Sequence, residues 1–161
     1  MTWLSNGGLR RSGSAAACAL ALLCTVSSVS AEVLLSGAWL RALPPTQNTT
    51  AAYVSVHNQG STSVAVIGGR AELTAKVEVH QSLEEEGFMR MRPVPSLVIA
   101  PQESVELAPG GIHLMLLELE RMPTEGELLE LCLSLDDGSE SCTKARVQRG
   151  PEQHMDHSQH H

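Results

Sequence analysis

The sequence predicts a single all-β domain, an antiparallel β-sandwich or Greek-key barrel, on three observations. Apolar residues alternate with polar ones in short stretches, Gly- and Pro-containing turn signals separate the stretches, and no helical period is sustained. The 161 residues suit one domain. Apolar residues make up 42% of the chain and aromatic ones 2%, so the interior is expected to be built from Leu, Val, Ala and Ile.

Each expected strand is bounded by a turn signal. Val33 to Arg41 ends before Pro44-Pro45, Ala51 to His57 before Asn58-Gln59-Gly60, and Ser63 to Ile67 before Gly68-Gly69. Ala75 to His80 is followed by Gln81 to Gly87, which carries Glu84, Glu85 and Glu86 and reads as a polar loop. In the next element, Phe88 to Arg92, Met89 and Met91 share a face, and Pro93 closes it. Ser96 to Ala100 stops at Pro101, and Ser104 to Leu107 stops before Pro109-Gly110-Gly111. Ile112 to Leu119, Leu128 to Leu135 after Gly126, and Cys142 to Val147 complete the set.

The amino end reads as a targeting segment. Arg10 and Arg11 precede a run of small and apolar residues from Ala15 to Val26, followed by Val29-Ser30-Ala31, a secretory signal pattern with cleavage before Glu32. That run is about 12 residues, too short to span a bilayer. Twin-arginine export, or lipidation of Cys18 or Cys24, would be the alternatives. The expected organisation is therefore a signal peptide over 1–31, a β-barrel domain over 32–150 and a His-rich tail over 151–161, in an exported, periplasmic, monomeric protein with no membrane span in its mature chain. Losing Arg10 and Arg11 and no acidic residue takes the net charge from -7 to -9. An acidic surface repels phosphate backbones and anionic headgroups, which argues against a nucleic-acid partner.

Cys132 and Cys142 remain in the mature chain and flank Asp136-Asp137-Gly138, a turn with Gly where a left-handed residue is needed. Asp137 lies midway, so the two cysteines fall opposite one another. An oxidising compartment favours a cross-strand disulfide, with a redox-active or metal-binding dithiol as the alternative.

Metal-binding chemistry is written in the outward positions. In Ile112 to Leu116, alternation puts Ile112, Leu114 and Leu116 on the core face and leaves His113 and Met115 side by side on the other. In Lys76 to His80, Val77 and Val79 turn inward and His80 turns outward with Lys76 and Glu78. With arginines opposite them, Met89 and Met91 could equally be packed inward. His80, Met91, His113 and Met115 together offer two imidazoles and two thioethers without a thiolate or carboxylate, a soft, neutral set that selects Cu(I) over zinc, calcium or magnesium.

These residues carry a resemblance to the periplasmic PCu(A)C copper chaperones. The family signature is a His, ten intervening residues, a Met, twenty-one residues and then His-x-Met, and His80, Met91, His113 and Met115 meet every spacing. The resemblance extends through Gly37-Ala38-Trp39, Arg41-Ala42, Ala51-Ala52-Tyr53, Met91-Arg92-Pro93-Val94, Leu107 to Gly111 and Pro123 to Gly126. It implies a cupredoxin-like barrel with a surface His2Met2 Cu(I) site. It also implies delivery of copper to an accepting protein, a cytochrome oxidase subunit with the CuA centre or another copper chaperone. Gln81 stands where many members have a further Met, which leaves Met89 as an auxiliary thioether.

Copper storage using the same site is the competing function. A blue-copper electron carrier would need a Cys ligand beside two His, and both mature cysteines are better explained by each other. Enzymatic catalysis is not expected, because no nucleophile is paired with a base and the cysteines lack C-x-x-C spacing. In the tail, His154, Met155, His157, His160 and His161 with Asp156 form a nitrogen-rich set suited to Cu(II).

Overall fold

The computed structural model describes residues 33–151. The expected signal segment, with Cys18 and Cys24, and all of the expected tail beyond Pro151 lie outside the described residues. Ten strands follow in order: β1 (Val33–Arg41), β2 (Thr50–Asn58), β3 (Val64–Ala71), β4 (Thr74–Glu85), β5 (Phe88–Pro93), β6 (Leu97–Ile99), β7 (Ser104–Leu107), β8 (Ile112–Leu116), β9 (Leu128–Leu135) and β10 (Glu140–Gln148). No helix occurs among the described residues, and none is long and apolar enough to cross a membrane.

The strands pair in the order β4-β8-β2-β1-β10-β9-β3, and β3 pairs again with β4, closing a seven-stranded barrel. β5 continues the sheet beyond β4, β6 lies against β3, and β7 against β2. All pairs are antiparallel except β1 with β10, the first and last strands of the described residues, which run in parallel with Arg41 beside Gln148. Closure leaves few open edges, and it encloses one core of alternating inward aliphatics. Leu40, Val54, Val56, Val66, Leu114, Leu116, Leu131, Leu133 and Val147 are fully buried there, each contributing about 1.5 to 3 kcal/mol relative to exposure. The polar exception, Asn58, is satisfied: its amide donates to the Thr62, Ile99 and Ala100 carbonyls, and its oxygen accepts the Gly60 N–H.

Three boundaries differ from the sequence expectation by more than two residues. β3 does not stop at Ile67 before a Gly68-Gly69 turn but runs through both glycines, paired with β9, to Ala71. Gln81 to Gly87 is not a polar loop, because β4 runs on to Glu85 and turns through Glu86 and Gly87 alone. Both turn residues have positive φ, 55° and 80°, the geometry of a two-residue hairpin turn whose twist matches its strands. Glu85 is held on the hairpin by Arg92 and Arg90, at 2.8 and 3.4 Å, and Arg92 keeps its carboxyl below the usual range. The eighth strand ends at Leu116 rather than Leu119. Leu119 is still buried, through a connection in which its N–H donates to the Asn48 carbonyl at 2.9 Å.

On the β9–β10 hairpin Cys132 pairs directly with Cys142, and the two form a disulfide. Arg70 lies beside it, with Nη2 4.0 Å from the Cys142 sulfur, and is itself tied to Glu130 and Glu140. On the neighbouring strand a Cβ at Gly69 would collide with the Cys132 carbonyl, so only glycine lets β3 approach β9 this closely.

The disulfide sits on the opposite hairpin from the His-Met cluster, so its role is to staple the barrel. Replacing both cysteines with Ser should cost roughly 2 to 3 kcal/mol of stability in the chain-entropy model for so short a loop. Denaturant melts check the size of that loss. Chelator competition should find Cu(I) affinity unchanged, and thiol counting in the wild-type protein should find neither cysteine free.

Candidate metal centre

Three adjacent strands, β5, β4 and β8, carry the candidate ligands. His80 on β4 is paired with His113 on β8, Glu78 with Met115, and Ser82 with Met91 on β5. Paired residues project to the same side, and alternation along each strand keeps His80 on that side with Glu78 and Ser82. The outer face therefore gathers His80, Met91, His113 and Met115, while Val77, Val79, Leu114 and Leu116 fill the core behind them.

Exposure is graded across the cluster. His113 is buried under its neighbours on the outer face, His80 and Met115 are half-buried, and Met91 is 60% exposed. The inward packing considered for Met91 does not occur. Met89 lies on the same face, opposite Glu84, and is equally exposed. His154, Met155, His157, His160 and His161 lie outside the described residues.

Both imidazoles are oriented by hydrogen bonds that leave one nitrogen free. His113 Nδ1 lies 3.0 Å from the Gly111 carbonyl and His80 Nε2 lies 2.9 Å from a Glu78 carboxylate oxygen. Carbonyl and carboxylate oxygens only accept, so each of these ring nitrogens donates, and in the neutral ring the other nitrogen is the one that keeps its lone pair. This is how metal-binding histidines are commonly held, with the second ring nitrogen donating to an oxygen. Gly110, at φ +82°, bends the loop that sets the Gly111 carbonyl between His113 and the Ser82 N–H. The two ring centroids are 6.4 Å apart, near the outer limit for imidazoles sharing an ion through bonds of about 2 Å.

A depression of about 300 Å³ opens beside the pair, lined by Arg41, Tyr53, Ser82, Met91, His113 and Met115 among others. Trp39 stacks on Tyr53 at 4.3 Å between centroids, and Tyr53 lies 6.4 Å from the His113 ring. The Arg41 guanidinium sits 5.7 Å above the Tyr53 ring, and its buried Nε has no hydrogen-bond partner among the described residues. Burial pushes the Tyr53 phenol up, with Arg41 opposing, so Tyr53 stays neutral at physiological pH and is a wall rather than an anionic ligand.

The donors that line this depression are the His113 imidazole and the Met91 and Met115 thioethers, and His80 is paired with His113 at its side, so the cluster as a whole offers two imidazoles and two thioethers, a set suited to a soft, monovalent ion. Among the described residues, the one His, Cys and carboxylate cluster close enough to hold a harder metal is Glu130 with Cys132 and Cys142, whose sulfurs are bonded to each other. Alternation had already placed Glu78 outward beside His80. The Arg41 and Tyr53 wall was not read from the sequence, because neither residue is a metal donor and both belong to strands remote in the chain.

A family model described as "Putative lipoprotein LpqE-like" matches residues 33–147. A curated relative, "Putative lipoprotein Lxx21020" of Leifsonia xyli subsp. xyli, is 32% identical over 110 residues, which are 68% of this chain and 65% of that protein. The chain thus spans about 65% of the length of that relative. Among solved structures, the copper-bound PCuAC domain from PmoF2 superposes with a TM-score of 0.60 at 22% identity, covering 73% of this chain and 92% of that one. Cu(I)-bound DR1885 from Deinococcus radiodurans gives a TM-score of 0.58 at 28% identity, covering 72% and 77%. The first likeness is one of fold.

Met91 and Met115 should be separable from the core. Met91→Ala is expected to weaken Cu(I) binding by about tenfold or more while changing stability by less than about 1 kcal/mol, as exposed substitutions do. Met115→Ala should lose copper similarly and cost more stability, being half-buried. Chelator competition alongside thermal melts checks both. Loss of several kcal/mol with intact Cu(I) affinity in Met91→Ala would make Met91 a packing residue.

Proposed function

From the premise that this chain belongs to the LpqE-like family, of PCuAC type, and folds as that family's cupredoxin-like barrel, we propose that it is an exported copper chaperone. It holds one Cu(I) between His80, Met91, His113 and Met115 and passes it to an accepting protein. The carrying observation is the pairing of His80 with His113, each with one ring nitrogen held by an oxygen, Nε2 in His80 and Nδ1 in His113, and both flanked by outward thioethers. The Cu(I) form of DR1885 supports copper as the cargo. The description of the family and of the Leifsonia relative as lipoproteins supports export, whether the signal is cleaved near Ala31 or a cysteine such as Cys18 or Cys24 is lipidated.

The chemistry of transfer is ligand exchange. Neutral imidazoles and thioethers hold Cu(I) without adding anionic charge, and Met91, exposed on the outermost strand, is the donor an incoming ligand replaces first. No bond of a substrate is made or broken, so no catalytic group is assigned. The acceptor in this reading is the CuA-bearing subunit of cytochrome oxidase or a chaperone that serves it, and the compartment is the periplasm.

The tail is assigned a second task, capture of Cu(II) by His154, His157, His160 and His161, with Met155 and Asp156 beside them. β10 leaves the barrel next to Arg41, three strand spacings or about 15 Å from β8. Ten residues reach at most about 33 Å, so metal on the tail can be presented to the barrel at high effective concentration.

Purified protein should hold one equivalent of Cu(I) against a competing chelator, and deleting residues 152–161 should leave that equivalent in place while abolishing Cu(II) binding. Failure to retain any Cu(I) would refute the chaperone reading. Unchanged Cu(II) binding in the truncated protein would refute the role of the tail alone.

A further inference from the structure

The described residues of this acidic chain hold most of their cations in ion pairs. Arg70, Lys76, Arg90, Arg92, Arg121 and Arg149 each have a glutamate oxygen within 4.0 Å. Arg41, Lys144 and Arg146 do not, among the described residues, and all three lie on one surface. Trp39 is paired with Arg146 and Arg41 with Gln148, so Arg41, Lys144 and Arg146 project to the same outer side as Trp39 and Tyr53. Trp39, Lys144 and Arg146 line one groove, in which Glu106 is the only carboxylate, and Arg41 and Tyr53 line the depression that holds Met91, His113 and Met115.

Cations outside close ion pairs thus run along β1 and β10, from Arg41 at the candidate ligands to Lys144 and Arg146 farther out, with Glu106 and Glu130 as the carboxylates nearest them, on a protein of net charge -7, or -9 once residues 1–31 are removed. Like proteins of that charge would be repelled elsewhere on the surface, whereas an acidic patch is attracted to this side and reaches the ligands in the right orientation. Resting on the copper-transfer reading, we propose that the outer face of β1 and β10, with Arg41, Lys144, Arg146 and the Trp39 ring, docks an acidic surface of the protein that takes the copper. Arg41 stands at the join, with a buried donor lacking a partner, and Lys144 and Arg146 are exposed and touch no candidate ligand.

The test uses the Cu(I)-loaded full chain and two synthetic Met-rich peptides, identical except that one is flanked by Asp and the other by Lys. Stopped-flow transfer should favour the Asp peptide by about tenfold or more at low salt, and the advantage should shrink as ionic strength rises. In the K144E/R146E double variant the preference should vanish or reverse, with Cu(I) affinity and melting temperature unchanged. Equal rates for the two peptides with full Cu(I) binding would overturn the docking proposal alone. So would a preference that survives the double charge reversal. A charge effect lost on deleting residues 152–161 would assign these cations to the chain's own tail and overturn it too. Wild-type protein that holds no Cu(I) would end the copper reading and this proposal with it.

Discussion

The register between β4 and β8 is the constraint on which the rest of the molecule depends. Val77 lies opposite Leu116 and Val79 opposite Leu114, and all four are buried. A slip of one residue would turn those valines to solvent and drive Glu78 and His80 into the core. Exposure of the two valines alone forfeits about 1.5 to 3 kcal/mol each, before the cost of burying a carboxylate is counted. The core therefore fixes where His80 stands, and His80 then meets His113 because the strands pair there. The geometry of the candidate site is a by-product of aliphatic packing on the other face of the same sheet.

Burial and strand pairing fall off across the cluster from His113 to Met91, the direction the proposed transfer would use. His113 sits on a strand paired on both sides, between β4 and β2, and is buried. Met91 sits on β5, which is paired only with β4 and carries Phe88 and Met89 equally exposed. In the proposed reading a cargo ion would be anchored at the inner end by an oriented imidazole and guarded at the outer end by a flexible thioether. The neutral Tyr53 wall and the Arg41 guanidinium add no anion that would favour a higher charge on the metal.

What the sequence makes legible is what burial writes into it. Alternation in Lys76 to His80 and Ile112 to Leu116 reveals the outward His and Met because a core lies behind them. Phe88 to Arg92 is legible as an element, but the far half of β4 is not: from Gln81 to Glu85 its side chains are wholly or partly exposed, so no apolar pattern marks it. Its register comes from the Glu86-Gly87 turn. The aromatic and cationic wall is hidden by an irregularity in β1, where the pairing with β2 shifts between Ser36 and Trp39 beside Gly37 at φ +62°. That shift breaks simple alternation and turns Trp39 and Arg41 to the ligand side. The parallel closure of β1 on β10, which brings Lys144 and Arg146 to that side, is a long-range pairing that local pattern does not encode.

The central claim is that two thioethers and two imidazoles close on one Cu(I), and X-ray absorption on the Cu(I)-loaded protein tests it most directly. The account predicts a copper shell of nitrogen and sulfur neighbours in equal number, with one sulfur lost in the Met91→Ala variant and none lost when Cys132 and Cys142 are replaced. A shell of nitrogen and oxygen alone, or sulfur that disappears with the cysteines, would contradict it.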